Sequence, residues 1–182
     1  MTPPFKDKNI VLGVTGSIAA YKACDLAREF MRKGASVTVV MTPEAKHFVT
    51  PITFQALTHN PVHHDPSFSH TPSGMDHIEL AKKADLFLIA PATAHTIAKL
   101  AHGLADDLIS ILALTMRSAV AVVPAMNTNM YHHAAVQANM KKIQDLGYKL
   151  IHPDQGELAC GDIGEGHIAD LDIIIKSAES LI

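Results

Sequence analysis

Apolar residues in this chain come in two textures. Short unbroken runs, NIVLGV (9–14), SVTVVM (36–41), LFLIA (86–90) and AVAVV (119–123), have the length and aliphatic character of strands buried on both faces. Between them, apolar positions recur every three or four residues, as on amphipathic helices. A helix starting near Ser17 carries Ala23, Leu26, Ala27 and Phe30 on its inner face, with Lys22, Asp25, Glu29 and Arg32 largely off it, and ends at Gly34. Thr42 caps a helix over 44–48, and short helices are expected around 54–57 and over 77–84. Ile97, Leu100, Ala101, Leu104 and Leu108 predict one long helix over 96–114, after a strand that Pro91 ends. A helix over 132–146 closed by Gly147, a last strand over 149–152 and a terminal helix over 170–182 complete the pattern. The stretch 61–75 is polar and rich in Pro, Ser and His, which reads as a lid or mobile loop.

Strands alternating with helices imply right-handed crossovers and an α/β fold, a parallel sheet with helices on both faces. Ligands in such sheets bind beyond the carboxyl ends of the strands. Gly16 and Ser17, Thr42, Pro91 to Thr93, and Pro124 to Asn127 all fall there.

The chain has 182 residues, 48% of them hydrophobic but only 5% aromatic, so one domain over 1–182 with an aliphatic core is expected. With 15 basic and 18 acidic residues the net charge is −3, which gives no footprint for nucleic acid. There is no apolar run of about 18 residues to span a membrane and no apolar leader in MTPPFKDKN, so a cytoplasmic protein is expected. The two cysteines, Cys24 and Cys160, do not indicate a disulfide scaffold.

Several positions carry candidate chemistry, each beside a plainer reading. Gly13-Val-Thr-Gly16-Ser17 links a strand to a helix whose first N–H groups attract phosphate; it matches neither GxGxxG nor the P-loop spacing, and an ordinary turn is the alternative. Thr42 would be a second phosphate contact or simply a cap. His77, opening a helix, could act as base or hydrogen-bond donor. His63, His64, Asp65 and His70 fit no zinc signature, so a solvated loop is expected there and no metal. Asn127 can donate and accept, suiting it to a carboxylate or carbonyl, between the adaptable walls of Met126 and Met130. Cys160 lies on a glycine-rich loop from which a thiol could reach a bound substrate; a small buried hydrophobe is its alternative.

Taken in order, TGSIAAYK (15–22), HIELAKKADLFLIAPATAHTIAKLAHGLADDL (77–108), PAMNTNM (124–130) and ACGDIGEGHIA (159–169) resemble the homo-oligomeric flavin-containing cysteine decarboxylases over nearly the whole chain. The branch most similar acts on 4'-phosphopantothenoylcysteine in coenzyme A biosynthesis. The resemblance implies a Rossmann-like, flavodoxin-like fold, bound FMN, and trimers, sometimes dodecamers, with active sites at subunit boundaries. Gly16, Ser17 and Thr42 would then hold the flavin phosphate, and Ala90, Pro91, Ala92 and Thr93 would line the flavin. His77, Asn127 and Cys160 would be catalytic. Met126, Met130, Ala159 and Gly161 would join Asn127 around the substrate. Two positions depart from the family's usual PATAN and GEGR: His95, which bears on one flavin contact, and His167, which bears on the flap's charge and its affinity for a phosphorylated substrate.

The implied reaction gives 4'-phosphopantetheine. The substrate's thiol-bearing CH2 yields a hydride to FMN, the resulting thioaldehyde lets CO2 leave as an enethiolate forms, and the hydride returns with a proton from Cys160. His77 would assist as base or as a group positioning the carboxylate. Bacterial relatives are often fused to the synthetase that makes the substrate, so such a domain or protein is an expected partner. Three alternatives share much of the pattern: a peptidyl-cysteine oxidative decarboxylase, a flavin prenyltransferase, and a non-enzymatic phosphatase-regulating binding protein.

Overall fold

The computed structural model describes residues 3–64, 76–157, 161 and 163–182. Six strands form one parallel sheet: β1 (Asn9–Val14), β2 (Ser36–Met41), β3 (Val62–His63), β4 (Leu86–Ala92), β5 (Ala119–Pro124) and β6 (Lys149–Leu150), in the spatial order β3-β2-β1-β4-β5-β6. This is the doubly wound order. Without the two-residue β3 it reduces to the flavodoxin-like order, as expected.

Successive strand residues point to opposite faces, and two cores result. Ile10, Leu12 and Val14 of β1 and Leu86, Leu88 and Ala90 of β4 pack under α1 (Lys22–Arg32), α2 (Pro51–Thr58) and α8 (Leu171–Glu179). Val11, Phe87, Ile89, Val120 and Val122 pack under α3 (Asp76–Lys83), α4 (Ala94–His102), α5 (Leu108–Thr115) and α7 (Ala134–Asp145). Each central strand serves both layers, which is why its sequence is apolar without alternation.

Several expectations are corrected. The long helix predicted over 96–114 is two helices. Gly103 takes a left-handed conformation (φ +66°), the Leu104 N–H reaches back to the Lys99 carbonyl, and Leu104 is exposed rather than on an apolar face. Pro91 does not end β4. It sits at a bulge in the pairing with β5, where its missing N–H is tolerated, and its carbonyl accepts from the Thr15 N–H and hydroxyl at 3.3 and 2.8 Å.

The 61–75 loop begins with a strand instead. Val62 and His63 pair with β2, and buried His63 Nδ1 lies 2.7 Å from Asp76 Oδ2. Asp65 and His70 lie outside the described residues. The helix predicted from residue 132 starts at 134, after a separate short α6 (Thr128–His132), because His133 is extended and accepts the Ala135 N–H on Nδ1. An antiparallel hairpin, β7 (Asp154–Glu157) and β8 (Ile163–His167), forms where only a glycine-rich loop was expected.

Candidate functional site

The sheet order reverses between β1 and β4, so the chain leaves these neighbours toward opposite faces and a crevice opens at their carboxyl ends. On the β1 side, Ser17 stands in extended conformation before a 3-10 turn (Ile18–Tyr21) that runs into α1, and its Oγ accepts the Ala19 N–H at 3.2 Å. Gly16 brings the backbone against the segment after β2: a Cβ at this position would lie 2.5 Å from that of Glu44. On the β4 side, Thr93 caps α4 by accepting the Thr96 N–H. Thr15 ties the two edges together, its Oγ1 accepting from the Thr93 N–H at 3.0 Å and donating to the Pro91 carbonyl. Two helix starts therefore face the same crevice, with the N-terminal charge bias that favours anions.

The far wall comes from the end of β5. Asn127 caps α6, its Oδ1 accepting the Asn129 N–H at 2.8 Å, which fixes the orientation of the amide. The β7–β8 hairpin folds down against this segment. The Met126 N–H donates to the Gly166 carbonyl at 3.0 Å, and Thr128 Oγ1 donates to the Glu165 carbonyl at 2.8 Å. Gly166 has φ +117° and no room for a Cβ against the Met126 carbonyl oxygen, so glycine is required both for conformation and for approach.

These elements enclose a cleft of about 620 Å³, within the range of roughly 300–1,000 Å³ that small-molecule sites occupy. Ala94, Ala125, Met126, Met130 and Ile168 supply apolar wall; Ser17, Thr93, Asn127, Lys22 and His167 supply polar groups. A flat apolar ring system with a phosphate tail suits this lining, the ring against the aliphatic wall and the phosphate at the Gly16–Ser17 turn.

Of the residues singled out from sequence, Gly16, Ser17, Thr93, Met126, Asn127 and Met130 meet in this cleft. Thr42 is buried, and its Oγ1 accepts the Ala45 N–H at 3.3 Å, outside the lining. Ala90, Pro91 and Ala92 are buried in β4 behind the cleft rather than on its surface. Half-buried His77 sits on α3, which follows β3 and packs on α5, and it does not line the cleft of its own chain. Gly161 is exposed, with φ +87°, and Ala159 and Cys160 lie outside the described residues. Burial raises the pKa of the half-buried Cys24 thiol, helped by the Asp25 carboxylate. Among the described residues no three His, Cys, Asp or Glu side chains cluster as metal ligands, and no helix is long and apolar enough to cross a membrane.

Sequence reasoning missed Lys22 and assigned His167 no contact. Lys22 Nζ lies 3.1 Å from His167 Nε2 across the cleft wall. The signal was Lys22's place at the end of TGSIAAYK, one helical turn past the glycine–serine turn.

Known proteins with this arrangement bear on what the cleft holds. The chain is 48% identical over 174 residues to a probable phosphopantothenoylcysteine decarboxylase of Streptococcus mutans, covering 94% of this chain and 97% of that protein. It is 46% identical over 171 residues to the coenzyme A biosynthesis bifunctional protein CoaBC of Escherichia coli, covering 94% of this chain but only 42% of that protein. A solved PPC decarboxylase, a cysteine-to-serine mutant complexed with pantothenoylaminoethenethiol, superposes with a TM-score of 0.84 at 29% identity over 95% of this chain and 97% of that one. The FMN-dependent cysteine decarboxylase SpaF superposes with a TM-score of 0.83 at 27% identity over 95% of each chain. The family profile described as Flavoprotein matches residues 4–182, the whole of the sheet and both walls of the cleft, and the chain belongs to that family.

Proposed function

We propose that this protein is an FMN-dependent decarboxylase that converts 4'-phosphopantothenoylcysteine to 4'-phosphopantetheine. The observation that carries the reading is the meeting of the Gly16–Ser17 turn with Met126, Asn127 and Met130 in one cleft at the switch point of the sheet. The one segment offers an anion site and the other a polar group on an apolar wall. The names borne by relatives at nearly half identity over almost the full chain support the same activity.

FMN, when bound, supplies a reversible hydride acceptor, and the protein's own residues do the rest. Gly16 and Ser17 would hold its phosphate, and Thr93 and Ala94 would contact its ring system. Asn127, at the start of α6 in the cleft wall, orients the substrate carboxylate through its side-chain amide. Met126, Met130 and Ile168 exclude water from the reacting carbons. Cys160, which falls between β7 and β8 in the sequence, delivers the final proton. His77 acts as base or carboxylate-positioning group from a neighbouring copy, and its absence from the lining of its own chain's cleft supports an active site shared between subunits of a trimer. A synthetase domain or protein supplying the substrate is the expected partner, as the bifunctional relatives suggest.

The test is to purify the chain, record its visible spectrum, and supply 4'-phosphopantothenoylcysteine while measuring CO2 and the thiol product by mass spectrometry. Yellow protein, CO2 and a saturated thiol are expected. A colourless protein that FMN does not reconstitute, or a flavin-loaded protein that releases no CO2, overturns the proposal.

A further inference from the structure

Asp76, the residue before His77, is a buried acid that the steps above leave unused. It opens α3, and its Oδ2 lies 2.7 Å from Nδ1 of His63 at the end of β3, thirteen positions earlier in the chain. The side chains of His63 and Asp76 are 7% and 6% exposed. An ionised carboxylate only accepts, so the proton of this contact sits on Nδ1. Stability alone is a poor reason for such a pair. Taking both groups out of water is costly, and apolar side chains of the same volume often serve as well or better. What a buried polar pair can add is direction, because its hydrogen bond is satisfied in one arrangement only.

Direction is what the start of α3 needs. The helix has eight residues and buries two of them, Asp76 and Ala81. Ala81 packs into the core that also holds Ile109 and Leu112 of α5, about one turn beyond His77. The first turn therefore buries one side chain, a carboxylate, and His63 holds it. His63 is paired beside Val40, near the carboxyl end of β2, so the clasp ties the start of α3 to the edge of the sheet on which the cleft opens. Successive side chains on a helix point about 100° apart. Holding Asp76 inward thus sets the direction in which the half-buried His77 leaves the helix.

We propose that Asp76, clasped by His63, is a positioning residue for His77. It fixes the first turn of α3 so that the His77 imidazole meets the substrate held by the neighbouring copy in one orientation. This rests on the role given to His77 above. Neither Asp76 nor His63 lines the cleft of its own chain, and their burial keeps both from reaching a ligand themselves.

The test uses the full chain loaded with FMN. Asp76→Ala and His63→Leu should slow flavin bleaching by saturating 4'-phosphopantothenoylcysteine about a hundredfold, the cost of a misplacement of about 1 Å. Asp76→Asn and His63→Asn keep an acceptor and a donor at the same places and should restore most of the rate. Subunit mixing separates positioning from a folding defect. Asp76→Ala subunits mixed with Asn127→Asp subunits should regain activity, because one supplies an intact cleft and the other a correctly held His77. Mixed with His77→Asn subunits they should regain none, because both lack the same group. The opposite result in either mixture overturns the inference. A second readout needs no turnover. With isotopically labelled histidines, the nuclear magnetic resonance signal of the His77 ring, assigned by its loss in His77→Asn, should move in His63→Leu and return in His63→Asn. An unmoved ring signal in His63→Leu overturns the inference whatever the rates. Failure of the wild type to bleach its flavin or release CO2 strikes instead at the decarboxylase reading, and the ring signal is measured independently of it.

Discussion

Asp107 joins two devices, and removing it should expose both. Its Oδ1 accepts the Ser110 N–H at 2.8 Å while the Ser110 hydroxyl accepts the Asp107 N–H at 3.2 Å, a reciprocal cap at the start of α5. Its Oδ2 accepts from Lys99 Nζ at 2.7 Å. The Lys99 side chain is 9% exposed and that of Asp107 13%, whereas the second partner, Asp106, is 65% exposed. Burial works against the charge on Lys99, but its hydrogen bonds to Asp106 and Asp107 outweigh this and raise its pKa. Asp107→Ala removes the cap, about 1 kcal/mol. It also leaves Lys99 with its exposed partner alone. Breaking a buried pair outright costs about 3–5 kcal/mol, and with Asp106 remaining we expect about 1–2. The sum is about 2–3 kcal/mol. Asp107→Asn keeps the cap and should cost the ion-pair part alone, whereas Asp106→Ala should cost at most about 1 kcal/mol, as exposed pairs do. Urea unfolding followed by circular dichroism at constant m-value measures all three. In a Lys99→Met background Asp107→Ala should shrink to the cap alone, about 1 kcal/mol. The reasoning is refuted if Asp106→Ala matches Asp107→Ala, or if the Lys99→Met background leaves the cost of Asp107→Ala unchanged.

Asp85 links the start of β1 to that of β4. Burial would raise its pKa, but the Asn9 N–H at 2.8 Å and Lys8 at 3.3 Å outweigh burial and lower it. Its contribution to stability is therefore present above the unfolded carboxylate's pKa of about 3.9 and is lost as pH falls through the lower folded value; Asp85→Asn should flatten the loss of stability below about pH 4, and an unchanged acid-unfolding curve would count against it. Gly166→Ala should destabilise by about 1–3 kcal/mol through its left-handed backbone and the clash with the Met126 carbonyl. It should also weaken FMN retention; a lowered Tm with unaltered FMN affinity would separate the hairpin from the flavin site. Cys160→Ser should release CO2 yet accumulate the unsaturated enethiol, seen by mass spectrometry, and normal yield of the saturated thiol would remove Cys160 from the proton-donating role. Mixed oligomers of His77→Asn and Asn127→Asp subunits, each inactive alone, should regain a fraction of activity; no recovery would place both residues in one chain's site.

The local pattern was enough for five strands of the six-stranded sheet, and the two-residue β3 was missed. Buried parallel strands need unbroken aliphatic runs, and VLGV and LFLIA have no other stable use in a chain of this length. Strand-end positions were legible for the same reason, since a doubly wound sheet brings Gly16, Thr93 and Asn127 to one edge wherever the loops go. Short-range pattern failed where a backbone hydrogen bond between distant segments decided the outcome. Pro91 stays in a strand because a bulge and the side chain of Thr15 use its carbonyl. The glycine-rich hairpin forms by pairing β7 with β8, and neither strand has an apolar face to announce itself. The split at Gly103 turns on its left-handed conformation, which the apolar periodicity running across it concealed. Which polar groups meet across the cleft was likewise a tertiary decision: Lys22 reads as a helix-surface lysine until the hairpin lays His167 over it, and only the topology shows that His77, on α3, is absent from the lining of its own chain's cleft. Periodicity fixes which face of an element is buried, because burial acts residue by residue. It carries no information on partners brought together from opposite ends of the chain, because that depends on how the layers close.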